Sequence, residues 1–249
     1  MLDLNLWLST IIIFGLIVVC LFSTATIAKY VSFEFARKYG HFFTVGIGIV
    51  TPLFFELNSF SIFSIIIIGA LPLLYIRTKN KSISNLLNTT TRKTYGDVCL
   101  IIGMGYLWFF VPNYTIYIVL LLVIGVSDSL AAIFPEIIYK KLGKEKPHKK
   151  THLGSFVFFV STLIILIVAN LLSTDSIDFN IIKIILVALI LTIIERLSYF
   201  GIDNFFVLFI GEILLSMWFS LVFYLEIYQS LLLKIKVYLK VYLYFFKLF

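Results

Sequence analysis

The stretch "TIYIVLLLVIGVSDSLAAIF", residues 115–134, decides how the chain is to be read. It has the length an α-helix needs to cross the hydrocarbon core of a bilayer, about 20 residues. Its one charge is Asp128. Burying an ionised carboxylate in such a setting costs several kcal/mol unless it meets a cation or a metal. The residues around it are small: Gly125, Ser127, Ser129, Ala131 and Ala132. They let a ligand or another backbone come close. The plainer alternative is a packing seam with Asp128 paired to a lysine.

Composition extends that reading to the whole chain. Of 249 residues, 61% are hydrophobic and only 13% are charged, against roughly half and a quarter in a soluble domain. Apolar runs near 4–28, 42–56, 60–76, 98–111, 155–173, 180–195 and 204–226 join 115–134. The expected fold is all-α: a polytopic integral membrane bundle of about eight transmembrane helices. Residues 1–28 would form an N-terminal transmembrane helix, 29–226 one polytopic domain, and 227–249 a basic amphipathic tail or an additional span. Asp3 is the only charge before Lys29, so the first run lacks the basic start of a signal peptide and reads as a retained span. Cys20 and Cys99 lie in apolar runs and suggest neither a disulfide framework nor a zinc site.

The net charge of +7 is distributed unevenly. Lys and Arg crowd into 29–41, 77–97 and 136–154, while the turns 57–59, 112–114 and 174–179 have none. With eight spans, the basic segments share one face, and the positive-inside rule makes it cytoplasmic. In the tail, Lys236, Lys240 and Lys247 fall within about 40° of one another on a helix, a pattern suited to an anionic lipid surface. No nucleic acid is expected as a partner.

Four polar clusters interrupt the apolar background. In "EFARKYGHFF", 34–43, Glu34, Arg37, Lys38 and His41 share about 100° of a helix, with Phe33, Phe35, Phe42 and Phe43 around them. Ionisable groups at membrane depth are functional candidates; the alternative is a snorkelling cap on a span. Asp128 is the second cluster. The third follows it: Lys149, Lys150, Thr151, Gly154 and Ser155 bring cations, hydroxyls, a glycine and the start of a helix. Polyphosphates are held by such groups, although a positive-inside loop would also be basic. No G-x-x-x-x-G-K-[ST] run exists, which excludes a P-loop. The fourth is "IIERLSYFGIDNFF", 193–206, where Glu195 and Asp203 flank a short turn. They offer a second acidic group for a cation, or else capping by Asn204 and pairing of Glu195 with Arg196.

Taken in order, these pieces resemble the membrane lipid kinase family that includes dolichol kinase, phytol kinase and the CTP-dependent diacylglycerol kinases. The similarity covers roughly residues 30–215. It rests on E-x-x-R-K-x-x-H at Glu34, Arg37, Lys38 and His41, and on an Arg and a Gly at Arg92 and Gly96. It continues with Asp128 ahead of Ala131 and Ala132, and K-[ST]-x-x-G-[ST] at Lys150, Thr151, Gly154 and Ser155. It ends with Glu195 upstream of Asp203–Asn204. Pro135 stands where the family usually has a glycine.

The resemblance implies transfer of the γ-phosphoryl group of CTP to the hydroxyl of a lipid alcohol: phytol, a polyprenol, dolichol or diacylglycerol. It implies Mg²⁺ on Asp128 and Asp203, and a nucleotide on Lys149, Lys150, Thr151, Gly154 and Ser155. Asp128, His41 and Arg37 would be catalytic. Glu34, Lys38, Arg92, Glu195, Asp203 and Asn204 would position substrate or phosphate. The site would face the cytoplasm. The nearest alternatives are a phosphatidate cytidylyltransferase-like enzyme, whose usual K-D run leading to G-H-G-G is absent, and a non-enzymatic transporter or structural membrane protein.

Overall fold

The structure, a computed structural model, describes residues 6–54, 96–111, 114–144, 150–172, 180–199 and 201–216. The expected span at 60–76, Arg92 with most of its loop, Lys149, and the tail 227–249 lie outside these residues.

Among the described residues the fold is all-α. It comprises α1 (Leu6–Ile27), α2 (Phe33–Val50), α3 (Gly96–Phe110), α4 (Tyr114–Leu122), α5 (Asp128–Lys141), α6 (His152–Leu172) and α7 (Ile181–Leu197). The chain is helical again over 203–216. α4 and α5 are joined through a π turn, Val123–Ser127, into one rod of 28 residues, Tyr114–Lys141. This rod and α6 are the two described helices long and apolar enough to cross a bilayer.

Among the described residues large apolar side chains face outward and ionisable ones face inward. Ile11, Phe14 and Phe22 of α1, Phe156 and Leu171 of α6, and Ile182, Ile185 and Ile193 of α7 are all exposed. Lys38, His41, Asp128, Glu195, Asp203 and Glu212 are all buried. A water-soluble domain has the opposite preference.

The core that carries the site runs along α4. Leu120, Leu121, Val123, Phe158, Val187, Ala188, Leu191, Val207 and Leu208 are fully enclosed. Trp108 of α3 meets Tyr117 of α4 edge-on, with ring centroids 5.7 Å apart, and the Tyr117 hydroxyl donates to the Gly48 carbonyl of α2 at 3.0 Å. The Tyr117 hydroxyl thereby has the partner that a low-dielectric interior requires.

Two expectations change. A span was expected to start at 42, with the charged cluster preceding it. The helix starts at Phe33, because the Ser32 hydroxyl caps it by accepting the Phe35 N–H at 3.3 Å. Glu34 in the first turn suits the positive end of the helix dipole. Glu34, Arg37, Lys38 and His41 are therefore all inside α2. At its other end Pro52 turns the chain through a short 3₁₀ segment, Thr51–Leu53. The second change concerns 115–134, which extends at its far end by two turns to Lys141, where Lys140 and Lys141 complement the helix C-terminus.

Candidate functional site

The clusters separated in sequence come together in space. Asp128, Glu195 and Asp203 are buried, and one carboxylate oxygen from each lies within 4.8 Å of the others. Three different elements supply them: the start of α5, the last turn of α7, and the start of the 203–216 helix.

Two lysines answer this negative charge. Lys38, from α2, forms an ion pair with Oδ2 of Asp128. Lys150, just before α6, lies 2.7 Å from Oε1 of Glu195 and 2.6 Å from Oδ2 of Asp203, and also donates to the Glu195 backbone carbonyl. Burial works against the charge of Lys150, but the Asp203 and Glu195 carboxylates outweigh it and raise its pKa above the ordinary lysine value. It is an ammonium at neutral pH.

His41 fixes the arrangement from behind. Its Nε2 lies 3.1 Å from the Ile124 carbonyl and 3.6 Å from Oδ2 of Asp128. A carbonyl only accepts, so Nε2 carries the proton. Ile124 belongs to the π turn, where the regular ladder of i to i−4 bonds is interrupted. The turn thus offers the histidine a carbonyl and sets the bearing of Asp128, the next residue after it. Gly125 in the same turn lies so close to α2 that a Cβ there would be 2.7 Å from Val45.

Around the centre the remaining residues divide. Arg37 is bound to Glu34 at 2.9 Å. Thr151 caps α6 by accepting the Gly154 N–H at 3.0 Å. Gly154 is where α6 touches α5: a Cβ there would be 2.7 Å from the Ala131 carbonyl oxygen. That carbonyl is the one that Pro135, lacking an N–H, cannot bond. Asp203 Oδ1 accepts the Asn204 N–H at 3.1 Å, and the Asn204 side chain donates to the Gly96 carbonyl at 2.8 Å. Asn204 therefore ties the start of α3 to the site instead of capping its own helix.

One of the two readings of this segment paired Arg196 with Glu195. Its guanidinium points elsewhere: Nη1 donates to the Ser155 hydroxyl at 3.2 Å, and Nη2 to Nε2 of His152 at 3.2 Å. Neither Arg196 nor His152 stood out in the sequence as part of a site. Adjacent residues on a helix point about 100° apart, so Glu195 and Arg196 do not face the same neighbour.

The centre is a candidate site for a hard divalent cation. Three buried carboxylates give an all-oxygen donor set of the kind Mg²⁺ takes. Ser127 and Ser129, on either side of Asp128, have buried hydroxyls with no hydrogen-bond partner among the described residues. Compared with protein-family models, curated proteins and solved structures, the chain matches none.

Proposed function

We propose that this chain is a membrane lipid kinase that moves the γ-phosphoryl group of CTP onto the hydroxyl of a lipid alcohol. The observation carrying the proposal is the meeting of Asp128, Glu195 and Asp203 within 4.8 Å, with Lys38 and Lys150 on them. Residues from four separate motifs of the resemblance, up to 165 positions apart from Lys38 to Asp203, form one centre. The resemblance supplies the donor and the class of acceptor.

In this reading the bundle is integral to the membrane, with about eight spans and its site at the cytoplasmic face. A lipid alcohol reaches the site from the bilayer and a nucleotide from the cytosol. The acceptor oxygen forms a bond to the γ-phosphorus as the bond to the β-phosphate oxygen breaks, and CDP leaves. The hydroxyl proton passes to a carboxylate of the centre. Such transfers need positioning and charge neutralisation more than covalent help. Asp128, with Asp203 and Glu195, would hold Mg²⁺, which supplies neutralisation of the phosphate oxygens. Lys150, Thr151 and Ser155 hold the phosphates at the α6 N-terminus, whose helix dipole favours anions. Lys38 and His41 act through Asp128, one on its carboxylate and one on the turn preceding it. Gly154 serves by letting α6 approach α5.

The test uses CTP labelled in either the α- or the γ-phosphate, purified protein, Mg²⁺ and a panel of lipid alcohols. Label should pass to lipid from the γ-position only. Transfer from the α-position would mean cytidylyl transfer, and no labelled lipid from CTP or ATP would overturn the proposal.

A further inference from the structure

We infer that Lys150 and a divalent cation compete for the same carboxylate oxygens, so that Lys150 is the resident counter-ion which the metal displaces. The inference builds on the Mg²⁺ part of the proposed function. It asks what this chain's own residues do when the metal arrives.

The ammonium of Lys150 has three protons and three acceptors: Oε1 of Glu195, Oδ2 of Asp203 and the Glu195 carbonyl. Its donors are therefore used up on the site. A Mg²⁺ ion bound to Glu195 and Asp203 would lie about 2.0–2.1 Å from its ligand oxygens. Nζ is already 2.6 Å from one and 2.7 Å from the other. The two cations need one place.

Lys38 and Lys150 differ in their freedom to leave. Lys38 belongs to the body of α2, and its side chain is 4% exposed. Lys150 stands on the non-helical stretch ahead of α6, and its side chain is 24% exposed. Of the two, Lys150 has the more open surroundings. Charge balance favours the same exchange. Three carboxylates against two lysines leave one negative charge, and a divalent ion replacing Lys150 brings the centre to neutrality. Once displaced, the ammonium lies next to Thr151 at the α6 N-terminus, where it can take a phosphate oxygen. Metal and polyphosphate then assist each other's binding.

The experiment uses the full chain in detergent, with Mn²⁺ as the probe and neither nucleotide nor lipid. Lys150→Met should bind Mn²⁺ about tenfold more tightly than the native protein or better, since a positive charge a few ångströms away has been removed. In the native protein, excess Mn²⁺ should raise modification of Lys150 by an amine reagent several-fold over NaCl at equal ionic strength, read by mass spectrometry. Equal or weaker Mn²⁺ binding by folded Lys150→Met would overturn the inference. So would unchanged modification of Lys150 in the native protein, a readout that does not depend on how the variant folds. Neither measurement involves phosphoryl transfer, so a failed kinase assay would leave both answers standing.

Discussion

Lys38 and Asp128, ninety residues apart, form a buried ion pair that joins α2 to the start of α5. Removing one member of such a pair leaves the other charged and without compensation, at a cost of about 3–5 kcal/mol. Asp128→Asn should therefore lose stability as well as activity, although from sequence the substitution reads as isosteric and harmless to the fold. Replacing both members, as Lys38→Met with Asp128→Leu, should restore most of the stability and none of the activity. Thermal unfolding in detergent, beside a transfer assay, checks both halves.

Gly154→Val should act chiefly on packing. The new side chain would meet the Ala131 carbonyl at 2.7 Å, and backbone cannot swing aside as a flexible side chain does. Overpacking of this kind costs about 1–3 kcal/mol. Gly154→Ala should show most of that loss, because the clash begins at Cβ. A stable Gly154→Ala variant would mean that α5 and α6 are farther apart.

The two arginines beside the centre should behave differently. Arg196 reaches Ser155 and His152 at the α6 N-terminus, while Arg37 is held by Glu34. Arg196→Lys loses the two-pronged fork and should raise KM for the nucleotide about tenfold, equivalent to about 1.4 kcal/mol. Arg37→Lys can keep its contact with Glu34 and should raise it less. The comparison of KM and kcat for the two variants decides this.

Orientation is open to a chemical test. Cysteines introduced at 82 and 145, with Cys20 and Cys99 replaced, should react from the cytoplasmic side of intact cells, and one at 177 from the other side. Reaction of 82 and 145 from opposite sides would separate the basic segments and remove the common face on which the proposed function depends.

What could be read from sequence follows from what each signal measures. Long apolar runs located α1, α3, α6 and α7 to within a few residues, because a run of that length with few breaks reads as a helix whatever it packs against. The acidic and basic residues of the centre were legible as interruptions of those runs. Their pairing was not. Nothing in the sequence says that Lys38 belongs to Asp128 and Lys150 to Asp203, since both pairings depend on how distant helices cross. The start of α2 was misplaced because the apolar run begins only at 42, whereas the charged residues ahead of it, which share one helix face, enter the same helix with buried partners. The π turn before Asp128 has no sequence signature beyond small residues, and Arg196 was overlooked because a nearer carboxylate offered an easier pairing.

The central claim is that Asp128, Glu195 and Asp203 work as one centre. It is tested most directly by single-turnover rates of γ-phosphoryl transfer for Glu195→Gln, Asp203→Asn and the double variant, with folding checked for each. Groups acting as a unit are strongly non-additive, and loss of one removes most of what the set supplies. Each single substitution should lower the rate by about a thousandfold or more, near 4 kcal/mol, and the double variant should be little worse than either. Small single effects that multiply in the double variant would mean that the two carboxylates act independently, and would contradict the account.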